Sequence, residues 1–354
     1  MGQIRVVVAD DSSFAREVIN AVLSTDSEIK VVGEAANGRE AVEKVLELKP
    51  DIVTMDIEMP VMDGLEAIER IMASFAVPIL VVTTRGDAHT AYAAISKGAL
   101  DLVVKPEVNL DGAREFIDKI KMLSKIKVIT HMKGKKSIRE PKELKKPEFS
   151  GGMSDRIVAI ASSTGGPEAL SIILSSLPGN FPCPIVIAQH ISDGFVSGMV
   201  EWLKRIVKLN IKVAVEGETL CPGTVYFSPS EKHMEITNSK SVAFVARHSK
   251  DIYRPSCDVL LSSVARVYGS MGVGVILTGM GSDGVLGIKK IKEANGDTIA
   301  QDEKSSVVFG MPKVAIDSGC IDKILSIDEI AAELVLRMAP GKGHAPGNYQ
   351  AARH

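Results

Sequence analysis

The sequence predicts an α/β protein in two units. The first is an N-terminal, doubly wound, five-stranded parallel sheet. The second is an α/β unit, mostly parallel, with an antiparallel hairpin portion. Three observations predict this. The chain has 354 residues, more than a single hydrophobic core usually serves. Strand-length apolar runs alternate with helix-period stretches in two separate blocks, the pattern of parallel sheets covered on both faces. Between the blocks lies a stretch of different texture, basic and short of large apolar residues.

In the first block, 1–123, strand-like runs fall at Ile4–Ala9, Ile29–Glu34, Ile52–Met55, Pro78–Val82 and Leu100–Val104. Helix-period residues lie between them, such as Phe14, Val18, Val22 and Leu23, or Ala41, Val42, Val45 and Leu46. The stretch 124–154 follows. From Ser124 to Gly152 it carries nine Lys or Arg against three Glu, with Pro141, Pro147 and Gly151-Gly152, and is expected to be a basic, flexible linker. The second block, 155–339, has strand-like runs at Ile157–Ala161, Pro184–Ala188, Lys212–Val215, Thr224–Phe227, Val242–Ala246, Val273–Leu277 and Thr298–Ala300. Tyr226–Arg247 has the look of a hairpin within that sheet. The tail, 340–354, mixes Pro, Gly and His, offers little to bury and is expected to be disordered.

Composition narrows the function classes. Forty-two basic against forty-four acidic side chains leave a net charge of -2, so nucleic acid is not an expected partner. No apolar run reaches the ~18 residues of a membrane span, and the N-terminus lacks a signal-peptide layout, so a cytoplasmic protein not inserted in a membrane is expected. The four cysteines (Cys183, Cys221, Cys257, Cys320) show neither paired zinc spacing nor a disulfide frame.

Ligands of an open parallel sheet bind beyond the carboxyl ends of its strands. In the first block Asp10 and Asp11 follow the first strand, Asp56 the third, Thr83 and Thr84 the fourth, and Lys105-Pro106 the fifth. Converging carboxylates repel one another unless a cation neutralises them, and an oxygen-only set suits Mg²⁺. Residues 4–121 resemble a response-regulator receiver domain. The likeness rests on Asp10-Asp11, Met55-Asp56-Ile57-Glu58-Met59-Pro60 with Asp63-Gly64, Val82-Thr83 and Val104-Lys105-Pro106. It implies that Asp56 is phosphorylated and that Asp10, Asp11 and Asp56 hold Mg²⁺. Thr83 is then the hydroxyl that follows the phosphoryl group, and Lys105 its ion partner. Leu102 stands where stand-alone receivers often carry an aromatic, which puts an aromatic readout at that position in doubt.

In the second block, Ala159-Ile160-Ala161-Ser162-Ser163-Thr164-Gly165-Gly166-Pro167 runs from a strand through a glycine turn into a helix. Such a turn lifts a hydroxyl towards a helix N-terminus, where amides and the dipole favour negative charge. The stretch matches neither the Walker A nor the three-glycine dinucleotide pattern. Residue physics leaves Ser162 and Ser163 both open as the nucleophile. The next strand ends at Gln189-His190, and a later one enters the loop Thr278-Gly279-Met280-Gly281-Ser282-Asp283-Gly284. Together these strand ends offer nucleophile, base and orienting carboxylate.

Residues 155–325 resemble the catalytic domain of the chemotaxis protein-glutamate methylesterases (the CheB family), which also share the receiver-linker-esterase layout. The matching pieces include Ser163-Thr164-Gly165-Gly166, Ala188-Gln189-His190, Tyr226-Phe227-Ser228-Pro229 with Lys232-His233-Met234, and Tyr253-Arg254-Pro255-Ser256. Leu277-Thr278-Gly279-Met280-Gly281 and Val308-Phe309-Gly310-Met311-Pro312 complete them. The resemblance implies Ser163 as nucleophile, His190 as base, Asp283 as its partner and the Met280 amide as an oxyanion donor, with no cofactor in the esterase site. It implies demethylation of glutamate γ-methyl esters, and deamidation of certain glutamines, on the cytoplasmic helices of chemoreceptors. A sensor histidine kinase would be the phosphodonor. Ala161 and Ser162 stand where the family usually has Gly and Ala, and Ser282 and Cys257 replace commoner residues.

Overall fold

The computed structural model describes residues 3–84, 88–106, 110–126, 128, 154–248, 251 and 253–338. Most of the expected linker and the whole of the expected tail therefore lie outside the described residues.

The first unit alternates strictly. Its strands are β1 (Ile4–Ala9), β2 (Ile29–Ala35), β3 (Ile52–Met55), β4 (Ile79–Thr83) and β5 (Asp101–Val104). Its helices are α1 (Ser13–Ser24), α2 (Gly38–Leu48), α3 (Gly64–Ser74), α4 (Ala88–Ser96) and α5 (Leu110–Leu123). Polar caps start the early helices: Ser12, Asn37 and Asp63 each accept the amide three residues ahead. All strand pairs are parallel, in the order β2-β1-β3-β4-β5. That order reverses direction between β1 and β3, which is where such a sheet opens a crevice. Phe14, expected on the buried face of α1, stands 72 % exposed. The inward stripe of α1 is Ile19, Val22 and Leu23, and Phe14 lies in the first turn, short of the core.

The second unit contains β6 (Ile157–Ser162), α6 (Gly166–Ser176), β7 (Ile185–Gln189), α7 (Val196–Lys204), β8 (Asn210–Val213) and β9 (Thr224–Phe227). After the strands β10 (Lys232–Ile236) and β11 (Val242–Ala246) come α8 (Cys257–Tyr268), β12 (Gly272–Ile276), α9 (Val285–Glu293) and β13 (Asp297–Gln301). The chain closes with α10 (Met311–Asp317), β14 (Lys323–Leu325) and α11 (Ile327–Met338). Seven strands form one sheet, β14-β13-β12-β6-β7-β9-β8, with every pair parallel. The hairpin is present but not within that sheet. β10 and β11 pair with each other as a separate two-stranded antiparallel sheet. Met234, Ile236 and Val242 of this ribbon join the core around α8, so the ribbon buries its apolar side against a helix instead of extending the main sheet. β9 is buried at every position and pairs in parallel with both β7 and β8.

The units meet through helices. α4 packs on α7 and touches α6, and Tyr92 of α4 stacks on Trp202 of α7 at 5.9 Å with planes 20° apart. One continuous buried apolar cluster runs through this contact, including Ala91, Tyr92 and Ile95 on one side and Met199, Val200 and Leu203 on the other.

Candidate functional site

The acidic rim of the first unit follows from strand register. Ala9 of β1 lies opposite Met55 of β3, so the next residue of each, Asp10 and Asp56, meet at the crevice. The Asp56 amide donates to the Ala9 carbonyl at 2.9 Å. Lys105 Nζ reaches Oδ2 of both Asp10 and Asp56 at 2.8 Å. Only the Asp56 contact has hydrogen-bond alignment; the Asp10 contact is an ion pair without it. Burial raises the Asp56 carboxyl, with Asp10 adding to the rise, and Lys105 only partly opposes this, leaving the pKa above the ordinary carboxylate value. Burial lowers Lys105, but its two carboxylate partners outweigh that and hold its ammonium form more firmly than usual.

Carboxylate oxygens of Asp10, Asp11 and Asp56 lie within 4.8 Å of one another. One ammonium cannot cancel three carboxylates, and the all-oxygen donor set fits a hard divalent cation such as Mg²⁺. Thr83 is fully buried at the same strand ends, and its Oγ1 has no hydrogen-bond partner among the described residues. That vacant hydroxyl is a poised donor or acceptor.

The second site lies at the strand-order reversal of the larger sheet. β6 leads through α6 to β7 on one side, while β12 flanks it on the other. The ladders run on past the strand ends. The Ser163 amide donates to the Thr278 carbonyl at 3.0 Å, and the His190 amide to the Ser162 carbonyl at 2.9 Å. Ser163 therefore stands between the loop that carries His190 and the loop that carries Asp283. Ser162 is fully buried, and its Oγ donates to Gln189 Oε1 at 2.6 Å. The same amide group returns two bonds, from Nε2 to the carbonyls of Ser163 and His190, each at 2.8 Å. Gln189 thus ties the two strand ends together. Ser163 is half-buried.

Two glycines allow this closeness. Gly165 caps α6 at φ 76°, a backbone region that a side chain disfavours. A Cβ on Gly279 would stand 2.6 Å from the Cβ of Ser163.

His190 Nε2 lies 2.8 Å from Asp283 Oδ2. Asp283 is anchored from an unexpected quarter, the N-terminus of α8. The Cys257 amide donates to Oδ2 at 2.6 Å, and the Asp258 amide to Oδ1 at 3.0 Å. The Ser256 hydroxyl adds a bond to Oδ1 at 3.2 Å. Burial works to raise this carboxyl, but His190 and the two helix amides outweigh it, so its pKa lies below the ordinary value. Tyr253 stacks on the imidazole at 5.1 Å, 15° from parallel. Cys257 Sγ lies 3.4 Å from His190 Nε2. Met280 is half-exposed in the glycine loop, and its amide has no acceptor among the described residues.

The structure thus brings His190 and Asp283 into contact and sets Ser163 on the adjoining rung. No hydrogen bond joins Ser163 Oγ to the imidazole among the described residues, and catalytic hydrogen bonds are often long before substrate arrives. Gln189, Tyr253, the Ser256 hydroxyl and the Cys257 and Asp258 amides are neighbours to which the sequence reading assigned no role, although Gln189, Tyr253 and Ser256 lie in stretches that carry the resemblance. Tyr253 and Ser256 lie in Tyr253-Arg254-Pro255-Ser256, where Ser256, three residues before Val259, caps the helix that Cys257 and Asp258 begin.

Comparison with known proteins gives the family. Residues 158–334 match the family model described as CheB methylesterase, and residues 6–119 match that of the response regulator receiver domain. A "Protein-glutamate methylesterase/protein-glutamine glutaminase 3" of Paramagnetospirillum magneticum is 48% identical over 98% of this chain and 99% of its own. A relative of Thermotoga maritima, named "Protein-glutamate methylesterase/protein-glutamine glutaminase", is 38% identical over 94% of this chain and 98% of its own. The crystal structure of the Thermotoga maritima CheB methylesterase catalytic domain is 40% identical, with a TM-score of 0.50, covering 52% of this chain and 100% of that one. The chain belongs to the CheB methylesterase family, with a response-regulator receiver domain at its N-terminal end.

Proposed function

We propose that the protein is a phosphorylation-regulated serine hydrolase that demethylates glutamate γ-methyl esters, and deamidates glutamines, on chemoreceptor helices. The observation that carries this reading is the His190–Asp283 pair standing beside Ser163 where the strand order reverses. With Nε2 turned to Asp283, Nδ1 is the nitrogen left to act as base, the reverse of the usual serine-protease assignment. His190 takes the Ser163 proton as Oγ attacks the ester carbonyl. The Ser163 amide is already bonded to Thr278, so the oxyanion falls to other donors, and the Met280 amide of the glycine loop, without an acceptor among the described residues, is the candidate. The imidazolium returns its proton to methanol (to ammonia in deamidation), and water then cleaves the acyl-enzyme to leave glutamate.

A serine-directed organophosphonate tests the reading. Labelling should fall on Ser163 and rise when a small-molecule phosphodonor is added. A protein that is only a phosphorylation-dependent scaffold leaves Ser163 unlabelled.

Tyr253 supports the imidazolium. A ring face against a cation contributes about 0.5–2 kcal/mol. Tyr253→Leu should therefore lower kcat/KM by about 2- to 30-fold, while Tyr253→Phe keeps most of it. Equal losses in both variants would assign the effect to the hydroxyl.

In the receiver, Asp56 accepts the phosphoryl group from a sensor histidine kinase. Asp10, Asp11 and Asp56 would hold Mg²⁺, which when bound neutralises the phosphoryl oxygens. Thr83, with its vacant hydroxyl, turns towards the new oxygens, and Lys105 pairs with them. Regulation runs through α4, since β4 ends at Thr83 and α4 follows it. α6 begins three residues after Ser163, so a receiver docked on α6 and α7 restricts approach to the serine. Trp202 is the protein's single tryptophan and reports this contact directly. A phosphodonor should change its emission in the native protein and not in Asp56→Asn. Truncation to residues 150–354 should raise basal esterase activity above that of the unphosphorylated full chain. Activity no higher than that would refute occlusion.

A further inference from the structure

We propose that His190, Cys257 and Asp283 form a site for one thiophilic divalent cation, zinc foremost, and that the bound ion switches the esterase off. Nε2, Sγ and a carboxylate oxygen of these residues lie within 4.8 Å of one another. Nε2 is 2.8 Å from Oδ2 and 3.4 Å from Sγ. Zinc–ligand lengths and tetrahedral angles require about 3.3 Å between N and O and about 3.5 Å between N and S. Two sides of the triangle need to open by about half an ångström or less, and the third, from Sγ to the carboxylate, lies within 4.8 Å against the roughly 3.5 Å a tetrahedral ion asks for. Three protein ligands leave a fourth position for water.

The donor chemistry selects the ion. The acidic rim of the receiver is oxygen-only and hard, whereas one thiol, one imidazole and one carboxylate form a softer set that favours zinc over Mg²⁺. The carboxylate is also held independently of the histidine. The amides of Cys257 and Asp258 and the Ser256 hydroxyl fix Asp283, so it remains in place when Nε2 exchanges its hydrogen bond for a metal bond. Such outer partners raise metal affinity. Cys257 is the element the resemblance did not supply, since it stands where the family has commoner residues.

The step balances in protons. The cation displaces the Cys257 thiol proton to solvent, forming the metal–sulfur bond. The imidazole proton moves from Nε2 to Nδ1 as Nε2 takes the metal. Burial raises the Cys257 thiol well above its ordinary value, so the proton loss is driven by the metal, which deprotonates a coordinating thiol. Binding therefore strengthens as pH rises. With its proton on Nδ1, the ring cannot accept one from Ser163.

Inhibition rests on the esterase reading, but binding does not, and the experiment separates them. Co²⁺ is titrated into the full-length protein with excess Mg²⁺ present to occupy the receiver rim. The expected result is one equivalent bound with a thiolate-to-cobalt charge-transfer band. Cys257→Ala should lose the band and weaken binding by more than about 100-fold, the upper effect of removing an outer partner alone. Cys221→Ala, which removes the exposed thiol, should keep the band, and so should Ser163→Ala. Zn²⁺ should stop methanol release by the native protein, a chelator should restore it, and Cys257→Ala should be far less sensitive. Absence of the band in the native protein, or its survival in Cys257→Ala, overturns the site. A band without inhibition overturns the switch. If Cys257→Ala fails to fold, Cys257→Ser serves the same purpose, since a hydroxyl gives no such band.

Discussion

Ser163→Ala lowers the rate of methanol release from a methylated receptor by on the order of 10⁴-fold or more. Removing the nucleophile of a triad disables its base as well, so the loss approaches that of deleting the whole constellation. What remains is binding and oxyanion stabilisation. Ser162→Ala is the informative partner experiment, because the two hydroxyls are adjacent in sequence and opposite in circumstance. Ser162 is fully buried and its hydroxyl is spent on Gln189, whereas Ser163 is half-buried on the rung between the His190 and Asp283 loops. Ser162→Ala leaves Gln189 Oε1 without that donor, a cost of about 1–3 kcal/mol in stability. It should slow turnover far less than the Ser163 change. Near-normal methanol release by Ser163→Ala would move the nucleophile to Ser162 or remove the triad altogether.

These sites were legible to the extent that they depend on strand ends. Asp10, Asp56, Lys105, Ser163 and His190 each follow an apolar run of strand length. In a parallel sheet every such run delivers its next polar residue to one rim. Which rims adjoin is decided by strand order, and no local pattern carries that. The β12-β6-β7 neighbourhood that sets Ser163 between two loops emerges only from the assembled sheet. Long-range contacts were hidden for the same reason. Asp283 is held by amides of residues 25 and 26 positions earlier, and a helix N-terminus shows in sequence what begins there, not what docks onto it. Phe14 has the right spacing for the α1 stripe and still faces solvent, because periodicity marks a face but not how far along the helix the core extends. The hairpin was readable as a hairpin, yet its detachment from the main sheet is a packing choice made by Met234, Ile236 and Val242 against α8. The contact between Tyr92 and Trp202 across the two units likewise appears only in the assembled structure.

Asp283→Asn should reduce kcat by on the order of 10⁴-fold while leaving the fold intact, since an orienting carboxylate acts by selecting the imidazole tautomer. As a carboxylate, Asp283 accepts the Nε2 proton and leaves Nδ1 bare for Ser163. An asparagine has one oxygen for the two that now accept; with that oxygen in the Oδ1 place, held by the Asp258 amide and the Ser256 hydroxyl, its NH₂ takes the Oδ2 place against Nε2, the Cys257 amide loses its acceptor, and the ring's proton must sit on Nδ1. The base then faces the serine with a donor. The low pKa of Asp283 fixes the pH behaviour. Because the carboxyl is ionised below its ordinary range, loss of activity between neutrality and moderately acidic pH is not its protonation. For stability the sign is that of a depressed acid. The native state binds the Asp283 proton less readily than the unfolded chain does. Its contribution is therefore complete above the unfolded value of about 3.9 and is lost as pH falls through the lower native one. Denaturant melts of native protein and Asp283→Asn should differ near neutrality and converge only below about pH 4. Convergence already at pH 5–6 would mean that the carboxylate is not held by the α8 amides as the geometry requires.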